Sequence, residues 1–276
     1  MMSTDQPLPD FGKPPLNEVV LSVQFEALEL LNIPHLGLIW QAFRDRFPKT
    51  EEHASLDPVF ERFGLRPTVG PQVQVYSSPP SPRLWFLNKA ETELIQVQKD
   101  RFIRNWRKKE DNEPYPRYKR LRKFFLEDYE QFIQFVEGQG WGQIVANQCE
   151  VSYVNLILCG NGWNDCGEVE NVITFISSTY SDSGLGDPEK VIANVSYILQ
   201  DVSGGFAGRL HVEVKPVLRT TDRKPAIRLS LTARGKPERE GIDGVMRFLD
   251  RGREEIVRGF TSITTKSMHK VWDRRL

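Results

Sequence analysis

No window of the 276 residues approaches ~18 consecutive apolar positions, so the sequence excludes a membrane-spanning helix. A surplus of either charge is missing too. With 37 basic residues against 37 acidic ones, no global field draws the chain to nucleic acid or an anionic membrane, and any such role must come from a local patch. Cysteine is scarce: Cys149, Cys159 and Cys166 cannot all pair, and their nine and six intervening residues do not match the C-x2-C spacing of a zinc site. They read as three free thiols. The opening MMSTDQPLPD carries neither the basic nor the apolar region of a secretory signal, so residues 1–14 read as a disordered lead and the protein as cytoplasmic.

Signatures of catalysis are equally sparse. G-x-S-x-G, H-E-x-x-H and the kinase motifs are absent. CGNGWNDCG has the look of a phosphate loop, but Asp165 stands where the third glycine of G-x-G-x-x-G belongs and no Walker lysine follows. It reads as the turn after a strand. The four histidines, His35, His53, His211 and His269, are scattered over the chain. His211 is the best candidate among them, because in LHVEV it lies two residues from Glu213 on the same face of a strand, where the two could share a proton or a metal. No third ligand sits at a recognisable spacing, and no P-C-x-x-C follows HVE as a zinc deaminase would require. The sequence therefore implies no cofactor and no metal, and it admits an enzyme only as a site built near His211 and Glu213.

What the chain does have is two similar runs of periodicity, in a length that suits one large domain or two smaller ones. NEVVLSVQFEAL (17–28) predicts a strand, and PHLGLIWQAFRDRFP (34–48) predicts a helix with Leu36, Ile39, Phe43 and Phe47 on one side. The proline-rich stretch 66–83 predicts an edge strand or flap. RLWFLN and ELIQVQKDRF flank KAET as a hairpin over 83–103, and Tyr118, Leu121, Phe125 and Phe132 mark a long helix. The second half repeats the order, with strands at 147–160 and 191–201, a hairpin over 209–233 and a long helix with Leu249, Ile256 and Phe260 on its stripe. Thr265 can cap a short terminal helix. The expected fold is α+β: two pseudo-duplicated strand-helix-hairpin-helix units, 15–141 and 142–276, sharing one curved antiparallel sheet with the long helices on one face. A doubly wound parallel sheet is the alternative.

Local charge is uneven despite the balanced total. From Lys99 to Lys123 eleven basic residues face four acids, with Phe102, Trp106, Tyr115 and Tyr118 interleaved, a composition suited to phosphate contact and base stacking. Lys99, Arg104, Lys108, Lys109, Lys119, Arg120 and Lys123 would carry such a nucleic-acid surface. The competing reading is a solvated edge with its aromatics in the core.

Taken together, PPLNEVVLSVQF, ELIQVQKDRFIRNWRK and GREEIVRGFTSITTKSMHKVW resemble a sporadically distributed bacterial family of uncharacterised proteins, one defined by similarity rather than by activity. The resemblance spans nearly the whole chain. It implies no catalytic residue and, through the family's patchy distribution, a link to mobile or defence genes. It also makes the block from Gln96 to Arg107 a landmark. Read as one extended strand, that block puts Gln96, Gln98, Asp100, Phe102, Arg104 and Trp106 on one face and Lys99, Arg101, Ile103, Asn105 and Arg107 on the other. Glutamines facing a core are costly unless bonded, so either the face lines a polar groove or the helices leave it wet. The function expected from these readings is a non-enzymatic binding or regulatory protein. It would take a partner protein or small ligand through Gln96, Gln98, Asp100, Arg101, Arg104, Asn105, Trp106, Arg107, His211 and Glu213.

Overall fold

Alternating Val, Leu and Phe make the first strand, β1 (Leu16–Phe25), and the rest of the fold is laid out from it. The computed structural model describes residues 7–64, 81–177, 184, 186, 188–201 and 203–276. After β1 come α1 (Ile33–Phe43), β2 (Lys49–His53), β3 (Arg83–Leu87), β4 (Glu93–Gln98), β5 (Arg101–Arg107) and α2 (Tyr118–Gly138). The chain continues through β6 (Ala146–Leu158), a 3-10 turn at Glu168–Asn171, β7 (Ala193–Gln200), β8 (Phe206–Leu218), β9 (Pro225–Gly235), α3 (Gly241–Ile263) and α4 (Lys266–Val271). The nine strands form one sheet in the order β2-β3-β4-β5-β1-β6-β9-β8-β7, and every neighbouring pair is antiparallel. The fold is thus α+β, and the parallel alternative is set aside by the pairings themselves.

Helices cover one face. Val19, Leu21 and Val23 of β1, Val151 of β6 and Leu231 and Ala233 of β9 turn toward them and are buried. On α3, Leu249, Gly252, Ile256 and Phe260 recur at helical spacing and seat the helix on β6 and β9. Gly252 lets the helix come close, since a Cβ there would stand 3.1 Å from the Ala233 Cβ and 3.3 Å from a Val151 methyl. Thr265 does cap α4, its Oγ1 accepting from Met268 N at 3.4 Å. Part of the lead read as disordered is built into this corner: Phe11 is buried, with its ring 5.4 Å from Phe260 and 6.3 Å from Trp272.

Three sequence expectations change. The block from Gln96 to Arg107, expected as one extended strand, belongs to two strands, because the chain reverses at Lys99–Asp100 with Gln98 opposite Arg101. No glycine or positive φ marks this turn. It is held from outside instead, by Phe25 N donating to Asp100 O (2.9 Å) and Leu28 N donating to Lys99 O (3.0 Å). Second, β2 has no apolar alternation and was missed; it is a short, charged edge strand on β3. Third, the stretch 66–83 lies outside the described residues up to position 80, and Arg83 begins β3.

Candidate binding site

The reversal at Lys99–Asp100 resets which side chains share a face. Gln96 and Gln98 now stand beside Arg101, Ile103 and Asn105 on the side away from the helices, while Phe102, Arg104 and Trp106 turn toward them. The helix-free face is the polar one, as the glutamines suggested, and residues 54–64 cross it as a strap. Gln98 grips one residue of the strap by both of its backbone polar groups, its Oε1 accepting from Leu56 N and its Nε2 donating to Leu56 O, each at 2.9 Å. Arg101 donates to Asp57 O at 3.0 Å and to Gln24 Oε1 at 2.5 Å, and Gln24 Oε1 also accepts from Val59 N at 2.8 Å. Asp100, in the turn, accepts from Gln98 Nε2 at 2.5 Å. Gln96 donates to Asn105 Oδ1 (2.8 Å), and Asn105 in turn donates to Glu18 Oε1 (2.6 Å).

The far end of the strap is held by charge. Glu61 accepts from Arg209 at 2.6 Å, lies 2.7 Å from His211 Nε2 and has Arg234 at 3.5 Å. Burial alone would raise the Glu61 carboxyl; the bonds from His211 and Arg209, with the Arg234 charge, outweigh it and hold the pKa below the ordinary carboxylate value. His211 is therefore joined to Glu61 rather than to Glu213, which shares the His211 face but pairs with Lys215 at 2.8 Å. Phe63 then stacks on Phe206, ring centroids 4.8 Å apart.

Arg104 and Trp106 belong to a different environment from the rest of the expected site. Arg104 is buried on the helix side, donating to Asp128 at 2.6 Å and Glu93 at 2.5 Å, and Trp106 is buried with its ring centroid 5.5 Å from that of Tyr115. Arg107 donates to Glu91 O at 2.8 Å and lies over Trp85. The basic run is divided in the same way. Lys99 sits in the turn at one end of β5 and Lys108 and Lys109 follow its other end; Lys109 pairs with Glu91, Lys123 with Glu127, and Lys119 and Arg120 are exposed on the first turn of α2.

Beyond β5 the loop carrying Lys108 and Lys109 bounds a cavity of about 720 Å³. The ends of β1, β6, β8 and β9 meet there with α4. Arg219, in the β8–β9 turn, donates to both carboxylate oxygens of Asp111 at 2.8 and 2.9 Å and so ties the loop across the sheet end. Lys13, Lys108, Lys109, Arg219 and Arg228 line the space against two acids, Glu110 and Asp111. Lys109 and Arg219 are engaged by carboxylates, whereas Lys13, Lys108 and Arg228 have no ion-pair partner among the described residues. Leu156, Leu158 and Val217 supply an apolar wall.

Among the described residues no group of three or more His, Cys, Asp or Glu side chains is placed to hold a metal, and no helix is long and apolar enough to cross a membrane. Sequence reasoning missed Glu61 and Gln24, which nothing local distinguishes from other polar residues. Arg228 had a signal: with Ser230, Thr232 and Arg234 it forms the polar alternation of β9. No protein family, curated protein or solved structure matches the chain.

Proposed function

We propose that the protein is a non-enzymatic, cytoplasmic binding or regulatory protein that takes a small anionic ligand in the basic cavity at the open end of the polar sheet face. One observation carries this reading: Lys13, Lys108 and Arg228 converge on a space of about 720 Å³ without carboxylates of their own. Cations gathered in a concave site raise the local concentration of anions and steer them inward. Concave, partly apolar spaces of this size are typical of small-molecule sites. The strap crosses part of the polar face, and the cavity lies beyond it at the end of the sheet. We also infer an internal duplication. Each half begins with a central strand (β1, β6), travels to a sheet edge, and returns through a hairpin (β4–β5, β8–β9) to a long helix (α2, α3), an order that supports two copies of one unit.

Calorimetric titration of the full chain with inorganic pyrophosphate and with a nucleoside triphosphate tests the ligand class. Binding is expected to weaken as salt rises and to fall about tenfold or more in Lys108→Glu/Arg228→Glu, with only a small change in melting temperature because both charges are half-exposed and without ion-pair partners among the described residues. Equal affinity in the double variant overturns the site. Tight binding of a short single-stranded RNA or DNA that is lost in Lys119→Glu/Arg120→Glu would move the function to nucleic acid instead.

A further inference from the structure

We propose a second ligand site, on the opposite side of β1 from the basic cavity: a space of about 310 Å³ between the sheet and the two long helices, built to take a small amphipathic carboxylic acid. Leu16 alone lines both cavities. Phe11, Ile256, Val257 and Phe260 make most of the second one apolar, and its polar lining includes Tyr115, Tyr118, Tyr153 and Arg253 besides Asp10, Arg117, Lys119 and Asn155.

Arg253 decides the charge of the occupant. Its guanidinium lies 5.4 Å from the centre of the Tyr118 ring and near the Tyr153 hydroxyl, and its Nε is buried with no hydrogen-bond partner. The nearby carboxylates are already committed. Asp250 accepts from Arg122 at 2.6 and 2.9 Å and from Tyr118 at 3.0 Å, and Asp10 pairs with Arg117 at 2.8 Å. Among the described residues no carboxylate forms an ion pair with Arg253. A partly buried cation with no counter-charge is stabilised by a bound anion.

The tyrosines define the second contact. Tyr115 and Tyr153 hydroxyl oxygens are 3.1 Å apart, so one donates to the other, and among the described residues the second proton of the pair meets no further acceptor. Burial raises both hydroxyls well above their ordinary pKa, so they remain neutral donors. An orphan guanidinium N–H and an orphan phenol O–H together suit the two oxygens of a carboxylate, whose apolar remainder fits against Phe11, Ile256 and Phe260. A neutral alcohol of the same shape could take the phenol proton but would leave the Arg253 charge unmatched.

Calorimetric titration of the full chain with octanoate, 1-octanol, 4-phenylbutyrate and 4-phenylbutanol tests this. At least one acid is expected to bind about tenfold more tightly than its matched alcohol, the difference that a charged hydrogen bond makes. Arg253→Gln should abolish that preference, and Val257→Trp, by filling the cavity, should weaken acid and alcohol alike. The proposal is overturned if neither acid binds, if acid and alcohol bind equally, or if Arg253→Gln retains the preference. Should Arg253→Gln fail to fold, the acid–alcohol comparison on the parent chain and the Val257→Trp result decide alone. The basic cavity is untouched by either variant, so pyrophosphate binding serves as the internal control.

Discussion

Arg104 lies on a strand that reads as a basic rim, yet its side chain is 3% exposed and its charge is spent inside the fold. Asp128 of α2, fully buried, takes its Nε, Glu93 takes Nη2, and Arg46 approaches the other Asp128 oxygen at 2.5 Å. Removing one partner of such a pair strands the other. Arg104→Ala is therefore expected to cost about 3–5 kcal/mol in urea unfolding, and Arg104→Met/Asp128→Leu to recover most of that loss. A single-variant loss below ~1 kcal/mol would show that water or Arg46 satisfies Asp128. His269 gives a second residue-scale expectation. Its Nε2 lies 2.9 Å from Thr264 Oγ1 and its Nδ1 3.2 Å from Arg274 Nη1, which suits a neutral ring accepting from the guanidinium. Burial, then the Arg274 charge, lowers its pKa from the ordinary 6.5. The unfolded chain therefore takes up a proton that the folded one resists, so this contribution to stability is intact above the unfolded value and is lost as pH falls from there through the folded one. Urea midpoints measured between about pH 5 and pH 8 should decline on the acid side, and His269→Gln should flatten that part of the curve.

Among the elements, α3 was the most legible, because a stripe at helical spacing is written in the chain itself. Its packing leads to a direct test: Leu249→Ala should cost about 2–5 kcal/mol through the cavity it leaves. Gly252→Leu should cost about 1–3 kcal/mol or more, since even a Cβ meets Ala233 and Val151 at close range. Little loss at both positions would mean that α3 does not rest on β6 and β9. The β4–β5 hairpin was illegible for the complementary reason. Its turn, Lys99–Asp100, has no glycine or positive φ and is held by backbone bonds from Phe25 and Leu28, about seventy residues away in sequence and invisible to any local window. Missing that turn exchanged the faces of Phe102, Arg104 and Trp106 with those of Arg101, Ile103 and Asn105. The polar character of the glutamine face was readable; the strap that satisfies it was not, because Leu56, Asp57 and Val59 present only main-chain atoms.

At the scale of the whole molecule, one sheet carries three separate fillings: helices on one face, the strap over part of the other, and open space at the end beyond β5. The strap joins β4, β5, β1, β9 and β8, and Glu61 is its charged anchor. With a folded pKa below the ordinary 4.5, Glu61 holds the strap fully above that value and releases its contribution as pH falls through the folded one. Limited proteolysis should accordingly find residues 54–64 protected near neutral pH and cut in acid, while Glu61→Gln should be cut at both. Equal protection of parent and variant would show that the glutamine contacts suffice. Those contacts have a consequence of their own. Gln98, Gln24 and Arg101 read peptide groups, which are alike at every position but Pro58, so a strap displaced by two residues in the direction that brings Ala54 to Gln98 would offer them the same bonds. Glu61, with Phe63 stacked on Phe206 beyond it, distinguishes one alignment from the next. It therefore acts as a key that fixes phase, and exchanging it with the residue two places earlier should let the strap settle in a shifted frame with its length of bonded backbone unchanged.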